Sequence, residues 1–466
     1  MDGERDERAE NQTQCPISFQ DAAAVTGLAA LHSASEEIIN AVLRAADPRK
    51  AVERSLGFHD QSLSVGGREI ALEGELAFVA AGKASPPMAE AFAGVFGDRI
   101  SRGIVVMPRG YSCDLPGRFP AIEAISASHP IPDDGGLRAA RRVLELVGSM
   151  AEGGVCVVLL SGGSSSLLSL PLTPLDLQDL RKTTELLLKS GIDIKGINTV
   201  RKHLSAIAGG RLAAAARCRM VTLAISDVVG DALPFIASGP TVADPTTFED
   251  ALGVLERLDQ PEAIPPSVLA LLRNGAAGKI PETPKSLPDR HMAEIIASNA
   301  IAVEAAVREA EARGFNAFVL TSSLHGEARD AGRLLAASAL EAKKSGRPAT
   351  PPACIIAGGE TTVTVRGAGR GGRNQELALS AAIALEGSQG ILLCSLATDG
   401  VDGNAAAAGA RVTGDTVNAG RAAGMDPARA LRENDSNTFL SAAGALIVTG
   451  PTYTNVNDVS FVLVGK

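Results

Sequence analysis

The sequence predicts an α/β protein of two domains, with mostly parallel sheets flanked by helices. Three observations carry that expectation. Short unbroken apolar runs alternate with helical stretches, the pattern of strands covered on both faces. A hydrophobic content of 45% over 466 residues is enough for sizeable cores and excludes global disorder. Pro261, Pro265, Pro266, Pro281, Pro284 and Pro288 interrupt the alternation once and divide it into two blocks.

The elements follow in order. Residues 1–17 open acidic and polar, MDGERDERAENQ, and read as a disordered head. Ile38, Ile39, Val42, Leu43 and Ala46 have helical spacing, which predicts a helix from Ser33 to Ala46 stopped by Asp47-Pro48. Apolar runs at 76–80, 103–107, 122–126, 155–160 and 221–226 predict strands, with helices over 86–96, 136–149, 174–189 and 198–216. Together they form a Rossmann-like N-terminal domain, 18–260. Residues 261–289 read as a Pro-rich linker, the alternative being a proline-studded loop with one short helix, 267–273, inside a single domain. The C-terminal domain, 290–466, takes strands at 295–298, 318–322, 354–358, 361–365, 391–397, 445–449 and 461–464, and helices at 299–313, 326–344 and 374–385. Residues 361–365, TTVTV, alternate in polarity, so they are placed at an edge or in an antiparallel pair.

Composition narrows function. A net charge of -9 argues against binding a phosphate backbone, and 3% aromatics leave few platforms for stacked bases. No apolar run reaches the ~20 residues of a membrane span. The head has neither the apolar core of a signal peptide nor the acid-poor character of a transit peptide. Six cysteines without a C-x-x-C pair read as reduced thiols, with Cys156 and Cys394 in the core. The expectation is a cytoplasmic protein that binds neither nucleic acid nor membrane; oligomeric state is left open.

Glycine, at 49 residues, exceeds the usual ~7% and gathers at strand ends. Five such loops hold Lys83, Ser161 to Ser166, Asp227, Glu360, and Asp399 with Asp402. A strand followed by small residues and a helix leaves backbone N–H groups free for phosphate or carboxylate oxygens. Carboxylates without zinc-type His/Cys spacing suit Mg²⁺ held through one or two acids and phosphate oxygens. Three standard motifs bear on these loops. A P-loop ending on Lys83 fails, because Ala77 stands where its first glycine belongs. A hydrolase elbow on Ser165 fails at Leu167. Gly367, Gly369 and Gly372 do match a dinucleotide fingerprint, but the alternating run before them is unlike a buried first strand. His129 and His203 can touch substrate or serve structure.

The segments LLSGGSSSLL (159–168), INTVRKHLSAIAGGRLA (197–213), ISDVVGDALPFIASGPTVAD (225–244), GGETTVTVRGAGRGGRNQELAL (358–379), ATDGVDG (397–403) and TGPTYTNVNDV (449–459) together resemble the bacterial-type glycerate 2-kinases, the MOFRL family. The resemblance covers about residues 20–466. It implies two α/β domains with the active site in the cleft between them. The implied reaction is ATP-dependent phosphorylation of D-glycerate at its 2-hydroxyl with a divalent metal, giving 2-phosphoglycerate and ADP. Relatives are often labelled hydroxypyruvate reductases, which makes an NAD(P)H-dependent reductase the alternative. Lys83, Asp227 and Arg373 match positions the family uses for catalysis. Ser161, Gly162, Gly163, Ser164, Ser165, Glu360 and Asn374 are the expected substrate and phosphate binders, and Asp399 and Asp402 the expected Mg²⁺ ligands. The chain departs from the family at Asn404-Ala405-Ala406, where Pro-Thr-Asp is usual, and at Ser164, where many relatives carry glycine.

Overall fold

A computed structural model describes residues 27–59 and 62–466; the expected head, 1–17, lies outside them. Among the described residues no helix is long and apolar enough to cross a membrane.

The N-terminal half is built on six parallel strands. These are β4 (Leu76–Ala81), β5 (Ile100–Pro108), β6 (Ile122–Ala127), β7 (Val155–Leu160), β8 (Arg219–Ile225) and β9 (Met292–Ala297), in the spatial order β6-β5-β4-β7-β8-β9. A small antiparallel sheet precedes them: β1 (Leu56–His59), β2 (Ser62–Val65) and β3 (Arg68–Ala71). Every residue of β4 and β7 is buried, which is why both read as unbroken apolar runs. The chain winds outward from β4 through β5 to β6, then returns to the other side of β4 with β7. The junction of β4 and β7 is therefore the topological switch point, where the loops beyond the strand ends part and leave a crevice.

The second sheet holds β10 (Asn316–Leu324), β11 (Ala353–Gly359), β12 (Ile391–Ala397), β13 (Gly409–Thr413), β14 (Leu446–Ile447) and β15 (Asp458–Val464), ordered β10-β11-β15-β12-β13-β14. Only β10 and β11 run parallel; the other pairs are antiparallel. Helices cover both faces, so β11, β12 and β15 are wholly buried and their sequences report burial without strand direction.

Four expectations are corrected. The prolines do not mark the change of sheet: β9 follows them and still pairs with β8. The chain leaves the first sheet only with the helix Asn299–Ala312. Within the supposed linker, the helix Pro266–Ala276 buries Val268, Leu271 and Leu272 against Phe248 and Leu204. The first helix, Leu28–Ala46, packs on the helix Asn299–Ala312 and on β12, and Arg411 bonds its Ser35 and Glu36 at 3.2 and 3.0 Å. It thus joins the second half despite its place in the chain. Residues 361–365 form no strand; they carry one isolated bridge, Thr362 to Glu327, and Val365 is 73% exposed. Finally, the helix expected over 198–216 breaks into Ile194–Leu204 and Arg211–Ala215, since Gly209 and Gly210 take positive φ of 58° and 81°.

Candidate active site

The carboxyl ends of the first sheet face the glycine-rich loops of the second half across a cleft. On the first rim, the loops after β4 and β7 interlock at the switch point. Lys83 N donates to Gly162 O at 2.9 Å, and Ala84 N donates to Ser161 Oγ at 3.0 Å. Ser164 Oγ donates to Ala81 O and Ser161 O at 2.7 and 2.6 Å, so a serine in the place of the usual glycine adds two ties. Ser165 Oγ bonds Ser238 Oγ at 2.8 Å. The Ser164 hydroxyl is spent inside the loop, the Ser161 hydroxyl accepts from Ala84 N, and both residues are buried. Gly162 accepts no side chain: a Cβ there would lie 2.2 Å from Asp227 Oδ2. The Asp227 carboxylate is thereby pressed against loop backbone. Burial raises its pKa, opposed by the nearby Lys83 charge.

Lys83 is exposed, and among the described residues no carboxylate lies within ion-pair distance of it. Arg201, on the helix Ile194–Leu204, is half-buried and likewise unpaired; burial alone lowers its pKa, to about 10. His129 meets Gly163 and is held near a pKa of about 4 by burial, with repulsion from Lys83 and Arg201. His203 is fully buried, its Nδ1 on Thr199 O at 2.8 Å, and has no access to the cleft.

The second rim is organised around the helix Arg373–Ala384. Arg373 Nε and Nη2 donate to the two oxygens of Asp458 at 2.5 and 3.1 Å, and Nη1 donates to Glu360 at 2.6 Å. Burial pushes Asp458 up to about 6 against the pull of Arg373. Burial disfavours the Arg373 charge, yet its bonds to Asp458 and the field of Glu360 hold its pKa above the usual value.

Asp402 has a different task from the expected one. One oxygen accepts from Asn374 N and Nδ2 at 3.1 and 3.3 Å, the other from Gln375 N and Nε2 at 2.8 and 2.9 Å. It caps the first turn of that helix from outside and keeps no oxygen for a metal. Asn374 is buried beside it, with Oδ1 accepting from Ser395 at 2.6 Å, and does not reach the cleft. Asp399 is the acid with room: Oδ1 accepts from Val401 N at 2.9 Å. The glycines of the fingerprint-like loop have a packing role. A Cβ at Gly367, Gly369 or Gly372 would strike Glu433, Asp435 or Asp402 within 2.2 to 2.5 Å. The loop packs on its own half, and Gly369, Gly371 and Gly372 still border the cleft.

Three connected spaces fill the cleft. A cavity of about 230 Å³ is lined by Lys83, Ser161, Gly162, Asp227 and Asp399. A chamber of about 380 Å³ is lined by His129, Gly163, Ser165, Arg201, Asp227 and Glu360. A larger space of about 1090 Å³ runs along Glu360, Arg373, Asp399 and Asp402. Asp227 borders the first two, and Asn455 borders all three. The structure thus brings together Lys83, the Gly162–Gly163 backbone, Asp227, Glu360, Arg373 and Asp399. Sequence reasoning missed Arg201, Asp458 and Asn455. Each sits in a segment that carries the family resemblance, but only packing shows which of those residues face the cleft.

Residues 34–273 match DUF4147, a domain of unknown function, and residues 353–458 match the MOFRL family. The chain is 42% identical over 429 residues to a glycerate 2-kinase of Pyrococcus horikoshii, covering 92% of this chain and 96% of the relative. It is 46% identical over 383 residues to a D-glycerate 2-kinase of Thermotoga maritima, covering 82% and 88%. A crystal structure of glycerate kinase from Thermotoga maritima superposes with a TM-score of 0.82 at 42% identity, covering 94% of this chain and 100% of that one. With a cleft of this composition and kinship over nearly its whole length, the chain belongs to the glycerate 2-kinase family.

Proposed function

We propose that this protein transfers the γ-phosphoryl group of ATP to the 2-hydroxyl of D-glycerate, releasing 2-phosphoglycerate and ADP. The observation that carries the reading is the position of Asp227. Its carboxylate lies on the wall shared by the cavity of Lys83 and Asp399 and the chamber behind it. A hydroxyl poised at that wall meets a base on one side and a phosphoryl donor on the other.

In the reaction the 2-hydroxyl oxygen forms the new bond to γ-phosphorus, the bond to the β,γ-bridging oxygen breaks, and Asp227 takes the hydroxyl proton. Burial raises the Asp227 pKa, which makes it a stronger base than an exposed aspartate. Lys83 neutralises charge on the migrating group. Arg373 spends three of its N–H donors on Asp458 and Glu360, and its remaining two donors are held rigidly for phosphate oxygens. The Gly162–Gly163 backbone adds neutral donors.

Mg²⁺ fits the donor set. It takes one or two carboxylates and completes its shell with water and phosphate oxygens, and Asp399 fits that part. Among the described residues no cluster of three or more His, Cys, Asp or Glu forms a ready-made cage, which suits a metal that arrives on the nucleotide. When bound, the ion supplies charge neutralisation to the polyphosphate. The described cysteines are free thiols, as suits a reducing cytoplasm.

The test is ADP release from Mg-ATP with D-glycerate, with the product identified by phosphorus NMR. ATP turnover that ignores glycerate overturns the reading, and 3-phosphoglycerate as product overturns the 2-hydroxyl assignment. NADH oxidation with hydroxypyruvate, run beside it, is expected to be absent.

A further inference from the structure

Among the described residues Arg201 has no hydrogen-bond or ion-pair partner for its side chain. Two basic side chains that follow it in the chain are occupied. Lys202 is wholly buried on Asp244 at 2.6 Å, and Arg211 donates to the carbonyls of Lys202 and Ser205 at 2.8 and 3.0 Å. Among the described residues Arg201 alone of this basic cluster faces a void, the 380 Å³ chamber, without an acid in ion-pair range. It is also the one permanent cation on the lining of that chamber, because His129 stays neutral near pH 7. A half-buried guanidinium left uncompensated marks a place where an anion completes the structure on arrival.

The identity of the anion follows from the wall opposite. Asp227 separates this chamber from the cavity of Lys83 and Asp399. A phosphoryl donor and an acceptor must reach one base from opposite sides. The polyphosphate needs the side with Lys83, Asp399 and the large adjoining space, which leaves the acceptor to the chamber of Arg201. Its walls of Leu188, Val228 and Phe235 suit a short carbon chain. A planar guanidinium fork matches a carboxylate through two parallel hydrogen bonds. We propose that Arg201 grips the carboxylate of the acceptor, and so restricts the enzyme to 2-hydroxy carboxylic acids over neutral polyols. This rests on the kinase reading above.

The test compares wild type, Arg201→Lys and Arg201→Met with D-glycerate and with its neutral amide, D-glyceramide. Calorimetric binding of D-glycerate without nucleotide is measured alongside. Arg201→Met is expected to raise KM for D-glycerate about 10- to 100-fold, with KM for ATP within about twofold, and to abolish the preference for acid over amide. Arg201→Lys, which keeps charge without the fork, is expected to fall between. A rise confined to the KM for ATP, or an acid preference that survives in Arg201→Met, overturns the proposal. If Arg201→Met does not fold, an unchanged preference in Arg201→Lys overturns it equally. If wild type releases no ADP, the kinase reading falls and calorimetry still decides Arg201. Loss of D-glycerate binding in the variant supports the grip, and equal binding refutes it.

Discussion

The two rims of the cleft carry their positive charge in opposite ways. On the first, Lys83 and Arg201 stand without carboxylate partners among the described residues. On the second, Arg373 is locked between Asp458 and Glu360, and Asp402 is saturated by four N–H donors. An unpaired cation keeps its full field for an arriving anion, while a paired one is fixed in place and contributes geometry. The difference teaches that binding strength resides on the parallel-sheet rim and rigidity on the mixed-sheet rim. It also gives a chain of net charge -9 a local positive field for anionic substrates, since Lys83 and Arg201 both line the cleft.

The sharpest way to break this comparison is to remove one cation from each rim. Arg373→Ala leaves Asp458, 6% exposed, without its partner. It should destabilise the fold by about 3–5 kcal/mol, the usual penalty for an orphaned buried charge, as well as lower activity. Chemical denaturation measures the first effect and steady-state kinetics the second. Lys83→Ala should cost about 2–4 kcal/mol of transition-state stabilisation, seen as a fall in kcat/KM. Its unfolding midpoint should stay at the wild-type value, because no native ion pair is lost. Equal destabilisation by both variants would abolish the distinction between the rims.

A smaller effect separates scaffold from ligand within the second rim. Asp402→Ala should cost about 1–2 kcal/mol of stability, as loss of a helix cap does, with the Mg²⁺ concentration for half-maximal rate unchanged. A marked rise in that concentration would return Asp402 to the metal set. Asp402 and Asp399 look alike in the run ATDGVDG, and nothing local tells them apart. Their fates diverge because one points at a helix start and the other into the cleft. Much else was legible: β4, β7 and β8 each end where an apolar run meets small polar residues, and that is where the cleft loops begin. Strand direction in the second sheet was not legible, because burial on both faces erases the alternation that would betray it. Nor was the membership of β9, decided by β8 across the Pro-rich segment, or of the first helix, decided by partners more than two hundred residues away. The state of Arg201 was hidden for the same reason: a guanidinium's vacancy is a fact about what surrounds it.

The mildest probe uses the histidine that faces both free cations. Burial, then Lys83 and Arg201, holds His129 at about 4, below its ordinary 6.5. The unfolded chain therefore binds a proton at His129 between those values while the folded protein does not. Stability from this group is fully present above pH 6.5 and is lost as pH falls toward 4. Asp458, raised to about 6, acts in the opposite sense, taking up a proton in the folded state over roughly the same range. The two slopes offset one another in wild type. His129→Gln removes only the first, so its melting temperature should fall less on acidification from pH 6.5 to 4 than that of wild type. His129 keeps much of its surface in solvent, which screens the shift and keeps the difference small. Burial sets most of that difference, and the unpaired charge that distinguishes the two rims adds to it. In a Lys83→Met background His129 feels less repulsion, and the His129→Gln effect should shrink further. An acid limb in His129→Gln as steep as that of wild type would mean that neither burial nor the two cations lowers the His129 pKa.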